Sequence, residues 1–212
     1  MQLRLFIWFL VMTLSVETTN AQQHLLSVKK TINEVNYTIA KSTNDNHWQT
    51  VEDDGYMSVK NGMAKIDCEN GQRRVLQLQS NLFNPKGNYT IEFKIKVPYV
   101  SEKGRGFDIA VYDGLKAFDF NITDQQLADY GIAKVFATQT DFSSTFRTIR
   151  FAVERYVGIV HMYIDEVFLA SYIMRKPTTE KFIKIGKVQS SSATVIEIAS
   201  FYADFTGAYR PN

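Results

Sequence analysis

Cys68 is the only cysteine in 212 residues, so no intramolecular disulfide can form and the fold has to rest on packing and hydrogen bonding. Proline is scarce, at 4, and glycine numbers 11, which argues against a linker-like or collagen-like chain. An excess of one charge is missing too. The 24 basic and 22 acidic side chains are interspersed, and their sum of +2 provides no field to steer nucleic acid or an acidic membrane. His24, His47 and His161 are too far apart for zinc-site spacing, and no EF-hand loop occurs. The apolar run Leu5–Leu14 falls short of the about 20 residues a spanning helix needs.

That run has a different reading. Arg4 precedes it as a positive flank, and Thr19, Asn20 and Ala21 follow it with a small residue at the end, the layout of a cleaved secretory signal. The expectation is a signal peptide over 1–21, a single domain over 22–212, and a secreted or periplasmic product without a membrane span. No cysteine follows the cleavage point to carry a lipid. Cys68 lies in an apparent strand with only Lys65 as a basic neighbour, which fits a half-buried structural thiol better than a nucleophile. Sequons at Asn36, Asn88 and Asn121 carry meaning only in a source that glycosylates.

Aromatic residues are plentiful, with 15 Phe and 11 Tyr, and apolar residues recur at every second position. In Tyr89–Val97, residues Tyr89, Ile91, Phe93, Ile95 and Val97 share one face, and Thr90, Glu92, Lys94 and Lys96 the other. Met63–Cys68, Arg73–Gln79, Phe107–Tyr112, Ala117–Ile122, Phe146–Glu154, Gly158–Ile164, Val167–Ile173, Phe182–Val188 and Ile196–Phe205 read alike, about ten strands in all. No helical segment of connecting length separates them. The pattern predicts an all-β fold, an antiparallel sandwich or barrel, and points away from a parallel α/β sheet. Thr123–Tyr130, opening on a cap-like Thr, predicts one helical turn. Trp48 is expected to plug a core edge, and the polar loop Tyr99–Gly106 is a candidate ligand-touching segment.

Five stretches together resemble the concanavalin A-like, laminin-G-like jelly rolls common among exported bacterial glycan-handling proteins. They are Asn88–Val97 (NYTIEFKIKV), Gly106–Lys116 (GFDIAVYDGLK), Thr148–Glu154 (TIRFAVE), Val160–Val167 (VHMYIDEV) and Phe201–Pro211 (FYADFTGAYRP). Where that superfamily usually has Asp-Gly in a tight turn, this chain has Asp165 and Glu166. The resemblance implies a jelly-roll sandwich with one concave sheet on which glycans often lie. The superfamily holds lectins, hydrolases and lyases alike, so fold does not choose among them.

A glycan site needs aromatic platforms and hydrogen-bonding side chains. By alternation Gln77 with Gln79, Glu92 with Lys94, Asp108 with Tyr112, Thr148 with Arg150, and His161 with Tyr163 project together from their strands. These positions, Thr148 excepted, are the candidate ligand-binding set. A glycoside hydrolase would need two carboxylates about 5 to 9 Å apart, with Glu92, Asp108 and Glu154 as candidates. A polysaccharide lyase would draw on Gln77, Arg150, His161 and Tyr163. The strand motifs of the jelly-roll hydrolases and lyases are absent. The expected function is therefore non-catalytic carbohydrate binding outside the cytoplasm, with no catalytic residue, metal or cofactor assigned. The enzyme classes and a structural or protein-binding envelope sandwich are the alternatives. A Ca²⁺ held by loop carboxylates such as Asp53 and Asp54 stays compatible with the sequence.

Overall fold

The computed structural model describes residues 47–53, 55–79, 81–101, 106–129, 134–188 and 193–211. The proposed signal segment 1–21, His24, Asn36, Asp54 and the centre of the 99–106 loop lie outside them, as does the side chain of Asp53. Among the described residues there is no helix, and two antiparallel sheets account for all of the regular structure.

One sheet has eight strands. Its order is β1 (Trp48–Asp53), β4 (Arg74–Leu78), β14 (Lys181–Lys187), β6 (Phe107–Asp113), β7 (Lys116–Ile122), β8 (Gln126–Asp129) and β9 (Lys134–Thr138), with the short β13 (Lys176–Pro177) also paired to β7. The other has seven: β12 (Val167–Ile173), β11 (Ile159–Ile164), β10 (Arg147–Glu154), β5 (Tyr89–Val100), β15 (Thr194–Asp204), β3 (Met63–Cys68) and β2 (Tyr56–Lys60). Among the described residues the fold is an all-β two-sheet sandwich and not a closed barrel.

The inward halves of both sheets meet in one apolar cluster. Phe151 of β10 sits at its centre, with ring centroids 5.7 Å from Phe93, 5.3 Å from Phe118 and 5.2 Å from Phe120, so it joins the two sheets. Removing each such ring from water contributes about 1.5–3 kcal/mol, and edge or offset ring contacts add about 0.5–1.5 kcal/mol. Trp48 packs edge-on against Phe201 at 5.1 Å and is buried, which is the core-edge role expected of it. Cys68 is fully buried, deeper than the half-burial expected, because Gly55 leaves room where a Cβ would lie 2.3 Å from its Sγ.

Two hairpins turn through two residues with positive φ, the type I′ geometry that matches strand twist. Asn61 and Gly62 (φ 53° and 75°) join β2 to β3 with a favoured pair. Asp165 and Glu166 (φ 46° and 70°) join β11 to β12 with an unfavoured one. Asp165 offsets part of that strain. Its Oδ1 accepts from Thr148 N at 2.9 Å, its Oδ2 from Arg147 Nη1 at 2.8 Å, and its own N donates to Thr148 O at 2.8 Å.

One expected element is corrected. Thr123 Oγ1 accepts from Gln125 N and Gln126 N, at 3.2 and 3.0 Å, as a helix cap would. Thr123 N donates to Gln126 O, however, which closes a turn and sends the chain into β8 rather than a helix. The same side-chain bonds serve either outcome, and burial of Leu127 together with pairing of Ala128 to Asn121 selects the strand.

Candidate functional site

Side chains that face away from the core form two outer faces, one per sheet, and the nine candidate positions divide between them. Gln77 on β4, Gln79 just beyond it, and Asp108 and Tyr112 on β6 belong to the eight-stranded sheet. Glu92 and Lys94 on β5, Arg150 on β10, and His161 and Tyr163 on β11 belong to the seven-stranded sheet. No single groove holds all nine. The carboxylates considered for hydrolysis separate the same way, Asp108 from Glu92 and Glu154, and Gln77 is parted from Arg150, His161 and Tyr163.

On the seven-stranded sheet the polar side chains satisfy one another. Phe168, Tyr163, Arg150, Glu92 and Tyr202 form one row in register across five strands. Arg150 Nε donates to Glu92 Oε2 at 2.7 Å and its Nη2 reaches the same oxygen, with both side chains largely buried. In the adjacent row, one ring nitrogen of His161 meets Glu154 Oε1 at 2.6 Å and the other meets Ser171 Oγ at 2.8 Å. The C-terminal segment then crosses this face. Thr90 Oγ1 donates to Gly207 O at 2.9 Å and accepts from Tyr209 N at 2.8 Å, and Pro211 is buried. Burial pushes the Tyr163 phenol up, and the nearby cations of Arg210 and Arg150 oppose that shift. Lys94 remains exposed, between Thr148 and Ser200 in register.

The eight-stranded sheet presents a different surface. Tyr112 of β6 and Phe182 of β14 are register partners, and their rings stack with centroids 4.2 Å apart at 23°. Lys184 Nζ stands over the Phe182 ring, 4.5 Å from its centroid, and Lys176 Nζ lies 4.3 Å from the Tyr112 centroid on the hydroxyl side, so a cation sits beside each ring. Lys176 also donates to the Tyr112 hydroxyl and lies 3.9 Å from Asp119 Oδ2. The Tyr112 bond raises the Lys176 ammonium above the usual lysine range, and Asp119 and Glu180 reinforce it. Desolvation pushes the Asp119 carboxyl up, with Asp129 adding to the shift, while Lys176 and the Tyr112 bond oppose it.

Local sequence explains the shape. Gln77, Lys184, Ala110 and Asp119 follow one another in register across β4, β14, β6 and β7. The small Ala110 is a low floor between the charged side chains of Lys184 and Asp119, beside the stacked rings. Gly186 permits the close approach of β14 to β4, since a Cβ there would lie 2.1 Å from Arg74 O. At one end of the patch Asp108 accepts from Asn121 Nδ2 at 2.9 Å. This bond and near-complete burial make the Asn121 sequon unavailable in the folded chain.

Phe182, Lys184, Lys176 and Asp119 were not among the sequence candidates. The alternation of Phe182 and Lys184 with Ile183 and Ile185 marks them as outward, but β14 enters the sheet between β4 and β6, far away in sequence. Among the described residues no group of three or more His, Cys, Asp or Glu side chains could hold a metal, and no helix is long and apolar enough to cross a membrane.

No protein-family model and no curated protein matches the sequence. Solved structures do match in shape. A sialidase superposes with a TM-score of 0.64 at 11% identity over 81% of this chain, which spans 18% of the sialidase. The metal-free carbohydrate recognition domain of Emp46p gives 0.57 at 11% identity, covering 83% of this chain and 99% of that domain. The apo Crh5 transglycosylase gives 0.57 at 14% identity, covering 87% of this chain and 88% of that one. At such identities the likeness is one of architecture: this chain shares the antiparallel two-sheet sandwich fold of these structures.

Proposed function

We propose that the chain is a non-catalytic carbohydrate-binding protein acting outside the cytoplasm, with its site on the outer face of the eight-stranded sheet. The stacked Tyr112–Phe182 pair, bordered by the polar side chains of Gln77, Lys184, Asp119 and Lys176, carries this reading. Apolar sugar faces pack on the exposed edges of the ring pair, while amide, ammonium and carboxylate groups match the hydroxyls around them. Sharing a fold with the Emp46p carbohydrate recognition domain supports the ligand class. The signal-like segment 1–21 supports the location.

Of the original candidates, Gln77, Gln79, Asp108 and Tyr112 stay in the proposed site. Glu92, Arg150, His161 and Tyr163 fall outside it, occupied by one another, by Glu154 and Ser171, and by the C-terminal crossing, and Lys94 falls outside it as an exposed side chain of the same opposite sheet. The non-catalytic assignment draws on the same engagement, since Glu92 is tied to Arg150 and Glu154 to His161.

Polysaccharides immobilised in a native gel, assayed for both retention and release of new chain ends, test the proposal. Retention without release is expected. Tyr112→Ala and Phe182→Ala should each weaken it about tenfold, the loss of about 1–2 kcal/mol of ring contact. Release of reducing or unsaturated ends, or retention unaffected by both substitutions, would overturn it.

A further inference from the structure

We infer that the platform selects an acidic saccharide, with a sugar ring on Tyr112 and Phe182 and the sugar's carboxylate on the Lys184 ammonium. This rests on the proposed carbohydrate site and adds the ligand's charge to it. The two cations of the patch are not equivalent. Lys176 is shared among Asp119, the Tyr112 hydroxyl and the Tyr112 ring. Lys184 stands over the Phe182 ring, and its register neighbours are Gln77 and Ala110. Among the described residues no carboxylate forms an ion pair with it.

The other charged side chains of the patch are held by hydrogen bonds to neighbours. Lys181, on the same strand, donates to Asn84 Oδ1 at 2.7 Å. Asp108 is engaged by Asn121 and, at 3.4 Å, by Val188 N. Lys176 and Asp119 offset each other, so Lys184 is the cation beside the rings that no carboxylate pairs with among the described residues. The Gln77 amide, its register partner, supplies a neutral donor of the kind that would complete a carboxylate site. An ammonium above one ring with a carboxylate beside the other matches a sugar that bears one negative group at its edge and hydroxyls elsewhere. A strongly multianionic ligand would meet Asp119.

Three probes separate the outcomes: polygalacturonate, the same polymer with its carboxyls reduced to alcohols, and a sulfated glycan of similar length. Binding of the purified chain is measured by isothermal titration at low and moderate salt. The inference predicts at least tenfold preference for polygalacturonate over its reduced form, lost in Lys184→Ala. Lys65→Ala, which removes an equal charge from the opposite sheet beside Asp67, should leave the preference intact. Equal affinity for the reduced polymer would overturn the acidic assignment and leave the carbohydrate site standing. Preference for the sulfated glycan alone would overturn the carboxylate, and an equal loss in Lys65→Ala would reassign the effect to bulk charge. Retention of none of these, nor of any neutral polysaccharide, by chain shown folded by circular dichroism, would remove the carbohydrate reading itself.

Discussion

Replacing Arg150 with Ala tests whether the polar face of the seven-stranded sheet is structural. The substitution leaves Glu92 facing a space that its partner's guanidinium filled. The Arg150 side chain is 7% exposed and that of Glu92 15%, so the stranded carboxylate recovers only part of its hydration. Breaking a fully buried ion pair from one side costs about 3–5 kcal/mol, and partial access for water at Glu92 reduces this to about 2–4 kcal/mol. With a urea dependence of about 2–3 kcal/mol per molar for a chain of this size, the unfolding midpoint should fall by about 1 M. Removing both charges together, as Arg150→Met with Glu92→Gln, should be less damaging than Arg150→Ala alone, because no charge is left unpaired. Glycan retention by the fraction that remains folded should not change. A midpoint shift below about 0.2 M accompanied by a tenfold loss of retention would refute the structural role and return Arg150 to the ligand.

Glu166→Gly should stabilise the β11–β12 hairpin by about 0.5–1 kcal/mol, since glycine accepts the positive φ without a Cβ penalty and gives some of this back as unfolded-state entropy. A urea midpoint that rises with an unchanged slope checks it. Gly186→Ala should cost about 2–4 kcal/mol and read out in thermal unfolding, because the added methyl meets the Arg74 backbone at 2.1 Å, a contact no rotamer relieves. Asp119 predicts a pH effect whose sign follows from its raised carboxyl. The folded chain holds that proton more tightly than the unfolded one, so this contribution to stability is present in acid and disappears as pH rises through the raised value. Protonation also leaves Lys176 without its carboxylate partner, so retention of an acidic glycan should strengthen as pH falls through that raised value, with Asp119→Asn flattening the profile.

The strands with long alternation were legible in the sequence because their inward residues need only a core, not a particular neighbour. Tyr89–Val97 and Phe146–Glu154 matched β5 and β10 closely, and Gly158–Ile164 matched β11. The short strands were not. Gln126–Asp129 lay behind a threonine whose local bonds look the same at a helix cap and at a hairpin turn, and Lys176–Pro177 is two residues held by pairing with β7. For the candidate site, alternation found which side chains face outward but not on which sheet. That assignment depends on β14 pairing with β4 and β6, and on β10 pairing with β5, across long stretches of chain. Lys176 and Asp119 became neighbours through the same long-range geometry.

The most direct measurement is an amide chemical-shift map of the ¹⁵N-labelled chain titrated with an oligosaccharide it retains. Perturbations should concentrate in 108–112, 117–121 and 182–184, on the outer face of the eight-stranded sheet. Perturbations gathered instead on β10, β11 and the segment from Thr206 to Pro211 would place the sugar on the opposite side of the sandwich and contradict the account.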